Sequence, residues 1–373
     1  MNKIRVLTVD DSTLMQRILK SALEGAPNIE HVGQAFNSNE ARKMVKQYNP
    51  DLLTLDVEMP GMNGLEFLER LMNARPLPVI MFSSHTADGT EITLKALELG
   101  AVDFLQKPRE GLDKTLAYLK ETLVPKIQVA GKTQPRYLKD RLSTLIKSSP
   151  DSAHTSPVDQ KANQFAAANS PYELIAIGAS TGGVSAIREV LEGLPGNLPP
   201  IVITQHMPEG YTERFAERLN RDCAMTVKEA ANNDELEFGH AYIAPGTHHM
   251  RVVKSAGKKA YHIELDDGPI VSGHRPSVDA MFNSVNKTFP AANVVSVILT
   301  GMGRDGAEGM LNLRNSGSIT FGQNQETCVV YGMPKSAFEL GAVQHMLPLD
   351  GISDAVMDAL CQSSGSQSKR HLA

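Results

Sequence analysis

The feature that most constrains the fold lies in the first 125 residues, where short apolar runs alternate five times with amphipathic stretches: IRVLTVD, STLMQRILKSAL, HVGQAF, NEARKMVKQY, DLLTLDV, GLEFLERLMNA, PVIMFSS, EITLKALEL, VDFLQK and LDKTLAYLKETL. Five strand-helix pairs in that order predict a parallel sheet with helices on both faces. In such a sheet the strand C-termini on either side of the topological switch face one crevice. The reactive side chains fall there: Asp10 and Asp11 end the first strand, Asp56 the third, Ser83 the fourth and Lys107 the fifth. Crowded carboxylates are costly unless a cation neutralises them, and an all-oxygen site suits Mg²⁺. Asp56 could then attack a phosphoryl donor, while Ser83 and Lys107 hold the acyl phosphate oxygens. Any one of these residues could be an ordinary helix cap or surface group. Their joint occurrence at one sheet edge carries the reading.

This set resembles the receiver domain of two-component response regulators, over nearly all of residues 1–125. The resemblance implies a flavodoxin-like fold, with Asp56 as the phospho-acceptor and Asp10 and Asp11 as the acidic pair around Mg²⁺. It makes Ser83 and Lys107 switch residues. Phe104 stands where the family usually has its switch aromatic, a position that core packing explains equally well.

From 126 to 170 the pattern lapses into a stretch rich in Ser, Pro, Ala and Asn, read as an interdomain linker. It carries seven Lys or Arg against three Asp or Glu, so it either docks on an acidic neighbour or stays a solvated tether. PRYLKDRLSTLIK within it could form a helical turn or two. Strand-like runs return as ELIAIGA, PIVITQH, AYIAPG, YHIEL, VVSVILT and SITFG, which predicts a second, doubly wound α/β domain over 171–361 and a flexible tail over 362–373. A chain of 373 residues suits two such domains.

The second domain opens on IGASTGG, which raises two readings. A dinucleotide loop wants a third glycine where Val184 stands, and an acidic residue after the next strand, which instead ends in Gln205 and His206. A Walker loop fails because no Gly-Lys-Ser/Thr follows. A nucleophile fits better: Ser180 sits at a strand-to-helix turn with small neighbours, and His206 ends the next strand, where it can serve as base. The orienting carboxylate is supplied by Asp305 in LTGMGRDGAEG, a loop that also offers the Met302 N–H for an oxyanion. His240, His248, His249, His262 and His274 lack the spacing of a zinc hydrolase and are read as structural or surface groups. Ser277 and Asp279 in GHRPSVDAMF look like a helix start.

Through IGASTGG, ITQHMP, IAPGTHHM, GHRPSVDAMF and LTGMGRDGA, residues 171 to about 360 resemble the catalytic domain of the chemoreceptor protein-glutamate methylesterases. Arg304 departs from the Asn often found there. The resemblance implies hydrolysis of glutamate methyl esters on chemoreceptors with release of methanol, and deamidation of certain glutamines. It also implies a histidine kinase as phosphodonor and no cofactor in the esterase site. The domain order predicts that the unphosphorylated receiver restrains the catalytic domain.

Other classes are disfavoured. Residues 171–373 carry 16 Lys or Arg against 22 Asp or Glu, a poor basis for nucleic-acid binding. A non-catalytic adaptor needs no triad, yet all three triad residue types are present. No apolar run approaches the roughly 20 residues of a membrane span. The N-terminus lacks signal-peptide order, and the three cysteines are far apart, so a cytoplasmic protein is expected.

Overall fold

The computed structural model describes residues 3–83, 86–108, 111–131, 172–254 and 261–361. The chain divides into two compact units, Met1–Asp151 and Ser152–Ala373. The predicted linker helix over 135–147 and the tail lie outside the described residues.

In the first unit, strands β1 (Ile4–Val9), β2 (Ile29–Ala35), β3 (Leu52–Asp56), β4 (Val79–Ser83) and β5 (Asp103–Gln106) alternate with helices α1 (Thr13–Leu23), α2 (Ser38–Tyr48), α3 (Gly64–Ala74), α4 (Ala87–Glu98) and α5 (Leu112–Ala130). The sheet is parallel, in the order β2-β1-β3-β4-β5, so its switch point falls between β1 and β3. The central strands are apolar on both faces because helices cover both; Leu52, Leu53 and Leu55 are fully buried. Four of the five helices start where a side chain can satisfy a free N–H: Ser12, Asn37, Asn63 and Thr86 cap α1 to α4. Helix α5 continues five residues past position 125. Ile127 and Ala130 are buried there, and Lys126 pairs with the Asp103 carboxylate.

The second unit is built on a seven-stranded parallel sheet, β14-β13-β12-β6-β7-β9-β8. Its strands are β6 (Leu174–Ala179), β7 (Ile201–Gln205), β8 (Thr226–Glu229), β9 (His240–Ile243), β12 (Val294–Ile298), β13 (Ile319–Gln323) and β14 (His345–Leu347). A hairpin, β10 (His249–Lys254) with β11 (Tyr261–Asp266), stands outside the sheet. Helices α6 (Gly183–Glu192), α7 (Tyr211–Asp222), α8 (Val278–Thr288), α9 (Ala307–Asn315), α10 (Met333–Glu339) and α11 (Leu349–Cys361) complete it. The chain leaves β6 toward β7 and returns on the opposite side at β12, making β6 the switch strand.

Helix α8 is central to the site. Val278, Met281, Phe282 and Val285, at helical spacing, are fully buried, each contributing about 2 kcal/mol by leaving water. Its first turn packs directly on β6 because position 178 is glycine: a Cβ there would come within 2.3 Å of Val278 Cγ1. No helix of the described residues is long and apolar enough to cross a membrane.

Candidate functional site

The receiver-like crevice forms as the strand order requires. Val9 pairs with Leu55, so Asp10 follows β1 directly beside Asp56 at the end of β3. Asp10 and Asp56 are buried and Asp11 is exposed, with carboxylate oxygens of the three within 4.8 Å of one another. Lys107 reaches in from the end of β5, its Nζ 2.6 Å from Asp56 Oδ2 and 2.9 Å from Asp10 Oδ2. Its pKa is raised: burial opposes the charge, but the two carboxylates outweigh burial. One ammonium against three carboxylates leaves a deficit of two positive charges in an oxygen-only pocket, which fits a divalent cation of the Mg²⁺ type.

Ser83 and Phe104 lie differently. The Ser83 hydroxyl donates to Gly89 O at 3.1 Å and accepts from Thr93 Oγ1 at 2.6 Å, turned toward α4. Phe104 is 7% exposed, within the core.

Burial pushes the Asp56 pKa up to about 6; the charge of Asp10 adds to the rise and Lys107 opposes it. A carboxyl whose folded pKa lies above its unfolded value favours the fold when protonated. Its stability cost is absent below about pH 4, grows as pH rises, and is complete above about pH 6. Asp56→Asn is therefore expected to stabilise the first unit by about 2–3 kcal/mol at pH 7 in a chelating buffer, with no gain at pH 4. Hydrogen exchange of the β1 and β3 amides in the full chain measures it. Equal protection of wild type and variant at pH 7 would show the burial cost to be wrong.

In the second unit, the three predicted side chains come from three adjacent strands. Ser180 follows β6, His206 follows β7 and Asp305 lies in the loop after β12, with β6 between the other two. His206 Nε2 bonds Asp305 Oδ2 at 2.8 Å. The two flanking strands thus join hands across the end of the strand that carries Ser180. The next register position past the pair Ala179 and Gln205 holds Ser180 and His206, and His206 N donates to Ala179 O at 3.2 Å. The second imidazole nitrogen, Nδ1, is buried and has no partner among the described residues.

The turn itself is held by its backbone. Ser180 N donates to Thr300 O at 3.0 Å, and Gly183 N to Ser180 O at 2.7 Å. Gly182 takes φ +79°, a conformation that L side chains avoid, and a Cβ there would strike Val329. Gly301 also approaches Ser180 closely, since an added Cβ would come within 2.8 Å of Ser180 Cβ. The next residue is Met302, whose N–H donates to no group among the described residues. The loop after β12 thus carries an uncommitted donor one residue beyond the glycine that approaches Ser180.

Asp305 is the most constrained group of the set. Its Oδ1 accepts from Ser277 Oγ at 2.8 Å and Asp279 N at 3.0 Å, and its Oδ2 from Val278 N at 2.8 Å as well as from His206. Two of these donors are first-turn amides of α8, where a negative charge is favoured. Burial works to raise the Asp305 pKa, but the His206 hydrogen bond and charge and the Asp279 and Val278 amides prevail and lower it. Asp279, also buried, goes the other way: burial raises it, against bonds from Gly309 N and Ser272 Oγ. The two neighbouring carboxyls are thereby shifted in opposite directions, Asp305 down and Asp279 up.

The five histidines do not converge. His249 is buried, with Nε2 3.0 Å from Pro269 O and Nδ1 accepting from Ser277 N at 3.2 Å. His274 stacks on His206, ring centroids 3.8 Å apart. Among the described residues, the one cluster suited to a metal is Asp10, Asp11 and Asp56. The sequence shows Ser277 and Asp279 as a helix start, in a segment that the family resemblance puts near the active site without giving it a catalytic role. A helix N-terminus as anion site was the available signal, but it could not be matched to Asp305 until β12 was known to lie beside β6.

Comparison with known proteins agrees in both units. Residues 175–356 match the family model "CheB methylesterase", and residues 6–117 match "Response regulator receiver domain". The chain is 47% identical over 370 residues to the protein-glutamate methylesterase/protein-glutamine glutaminase of Pectobacterium atrosepticum, covering 99% of this chain and 100% of that one. It is 47% identical over 356 residues to the protein of the same name from Chromohalobacter salexigens, covering 95% and 96%. With that of Escherichia coli K12 it shares 46% identity over 357 residues, covering 96% and 97%.

Proposed function

The chain belongs to the CheB methylesterase family, as a protein-glutamate methylesterase and protein-glutamine glutaminase with a response regulator receiver domain, and from that premise we propose a serine mechanism under phosphoryl control. The observation that carries the mechanism is the His206–Asp305 bond spanning the end of β6, above which Ser180 sits.

Ser180 Oγ attacks the carbonyl carbon of a glutamate methyl ester while His206 Nδ1, the nitrogen not committed to Asp305, takes its proton. The carbonyl oxygen becomes an oxyanion and receives the Met302 N–H. On collapse the C–OCH₃ bond breaks, methoxide recovers the proton from His206, and methanol leaves a glutamyl ester on Ser180. Water attacks that ester, again giving its proton to His206. The Ser180–carbonyl bond then breaks and the serine takes the proton back, leaving glutamate. With a glutamine substrate the first leaving group is ammonia. Asp305 keeps the imidazole in one tautomer and stabilises its positive form. The substrates are side chains on the cytoplasmic helices of chemoreceptors, which places the enzyme in the cytoplasm.

In the receiver, Asp56 Oδ accepts a phosphoryl group from a histidine kinase, and Asp10, Asp11 and Asp56 are the residues that would hold Mg²⁺. Bound there, the cation would supply positive charge against the carboxylates and the phosphoryl oxygens. Lys107 holds the phosphoryl group, and Ser83 leaves Gly89 and Thr93 to reach it. That rearrangement relieves the restraint on the esterase.

The test is methanol release from receptor membranes carrying labelled methyl esters, with and without a small phosphodonor and Mg²⁺. Release is expected to rise with phosphodonor in the wild type and to stay at the basal rate in Asp56→Asn. A rise of the same size in that variant would remove Asp56 from the control.

A further inference from the structure

Gln205 closes β7 and is 3% exposed. Its Nε2 donates to two main-chain oxygens, Ser180 O at 3.0 Å and His206 O at 3.1 Å. One amide group therefore links the backbones of the serine and the histidine, beyond the last register pair of their strands. The other end of the side chain is unusual: Oε1 is buried and has no hydrogen-bond partner among the described residues. It lies against the start of α6, where a Cβ at Gly183 would come within 2.0 Å of it.

A buried acceptor without a partner costs about 1–3 kcal/mol. Methionine or leucine would fill the same space without that cost. Packing therefore does not explain a glutamine here, while its two donor hydrogens do, because both are spent on the residues of the reaction. An uncompensated local cost of this kind marks function.

We propose that Gln205 is a positioning residue of the esterase, setting the approach of Ser180 Oγ to His206 Nδ1 by holding both main chains. The inference rests on the serine mechanism above. It acts on chemistry rather than on substrate binding, since proton transfer needs hydrogen-bond reach and an ångström of misplacement can cost about 10²-fold in rate.

The test uses the full chain with Gln205→Met, which keeps the volume, and Gln205→Glu. In Gln205→Met, kcat for methanol release is expected to fall about 10²-fold with KM within about threefold of wild type. Covalent labelling of Ser180 by a fluorophosphonate should slow in parallel, at a temperature where the variant is fully folded. In Gln205→Glu an ionised carboxylate would oppose two carbonyls, and protonation would restore one donor. Its pH–rate profile should therefore move to lower pH. Wild-type kcat in Gln205→Met would overturn the proposal. So would a rate loss that only follows the unfolded fraction, a Gln205→Glu profile superposing on that of wild type, or failure of both variants to fold. Activity surviving in Ser180→Ala would instead overturn the serine mechanism itself.

Discussion

Replacing Ser180 by alanine is expected to lower methanol release by about 10⁴- to 10⁶-fold, the range spanned when a serine nucleophile is removed from a triad. The same variant should unfold within about 1 kcal/mol of wild type, because a small substitution away from a packed core has little effect. The bonds that hold the turn belong to the backbone: Ser180 N to Thr300 O, and Gly183 N and Gln205 Nε2 to Ser180 O. Alanine keeps all three. Gly301 packs against the Ser180 Cβ, which alanine also retains. Activity and stability should thus separate cleanly, and release above about one part in a hundred of wild type would sink the assignment of the nucleophile.

Asp305→Asn should cost about 10⁴-fold in kcat, as expected when the orienting carboxylate of a triad becomes an amide and the imidazole takes the wrong tautomer. Unlike the serine variant, it should also weaken the fold. The carboxylate accepts from four donors, Ser277 Oγ, Asp279 N, Val278 N and His206 Nε2. An amide offers acceptance on one side only, so its NH₂ must face either the Ser277 and Asp279 donors or those of Val278 and His206. Each donor left unpaired there costs about 1–3 kcal/mol. Faster hydrogen exchange at Val278, Asp279 and Ala280, together with the rate loss, is the signature. A variant within tenfold of wild-type kcat would show that Asp305 serves the helix and not the reaction.

The difference between these variants reflects what a sequence can display. Strand ends are visible in apolar runs, so Asp10, Asp56, Ser180 and His206 could be placed at one edge of each sheet from periodicity alone. Asp305 could be named because its loop follows the run VVSVILT. Its real partners could not be, since Ser277, Val278 and Asp279 lie 26 to 28 positions away and become neighbours only through β6 and β12 pairing. Gln205 entered the sequence argument only as a residue that is not a ribose-binding carboxylate; its two bonds are tertiary. The missed strands β8, β10 and β14 share a different cause. TVKE and HML are short edge segments, and HMRVVK is a half-exposed hairpin strand, so none shows the continuous apolar run of a buried parallel strand. Residues 126–131 read as linker because the Lys126 pairing with Asp103 that extends α5 leaves no local signal.

The position of β12 has a consequence for the order of events during synthesis. His206 and Asp305 are 99 residues apart, and the strand that brings Asp305 to the site is also the neighbour that completes β6. A growing chain exposes the serine and the histidine long before the carboxylate is translated, and contacts of such separation form late. On the proposed serine mechanism, hydrolytic competence is therefore expected only after β12 has docked beside β6.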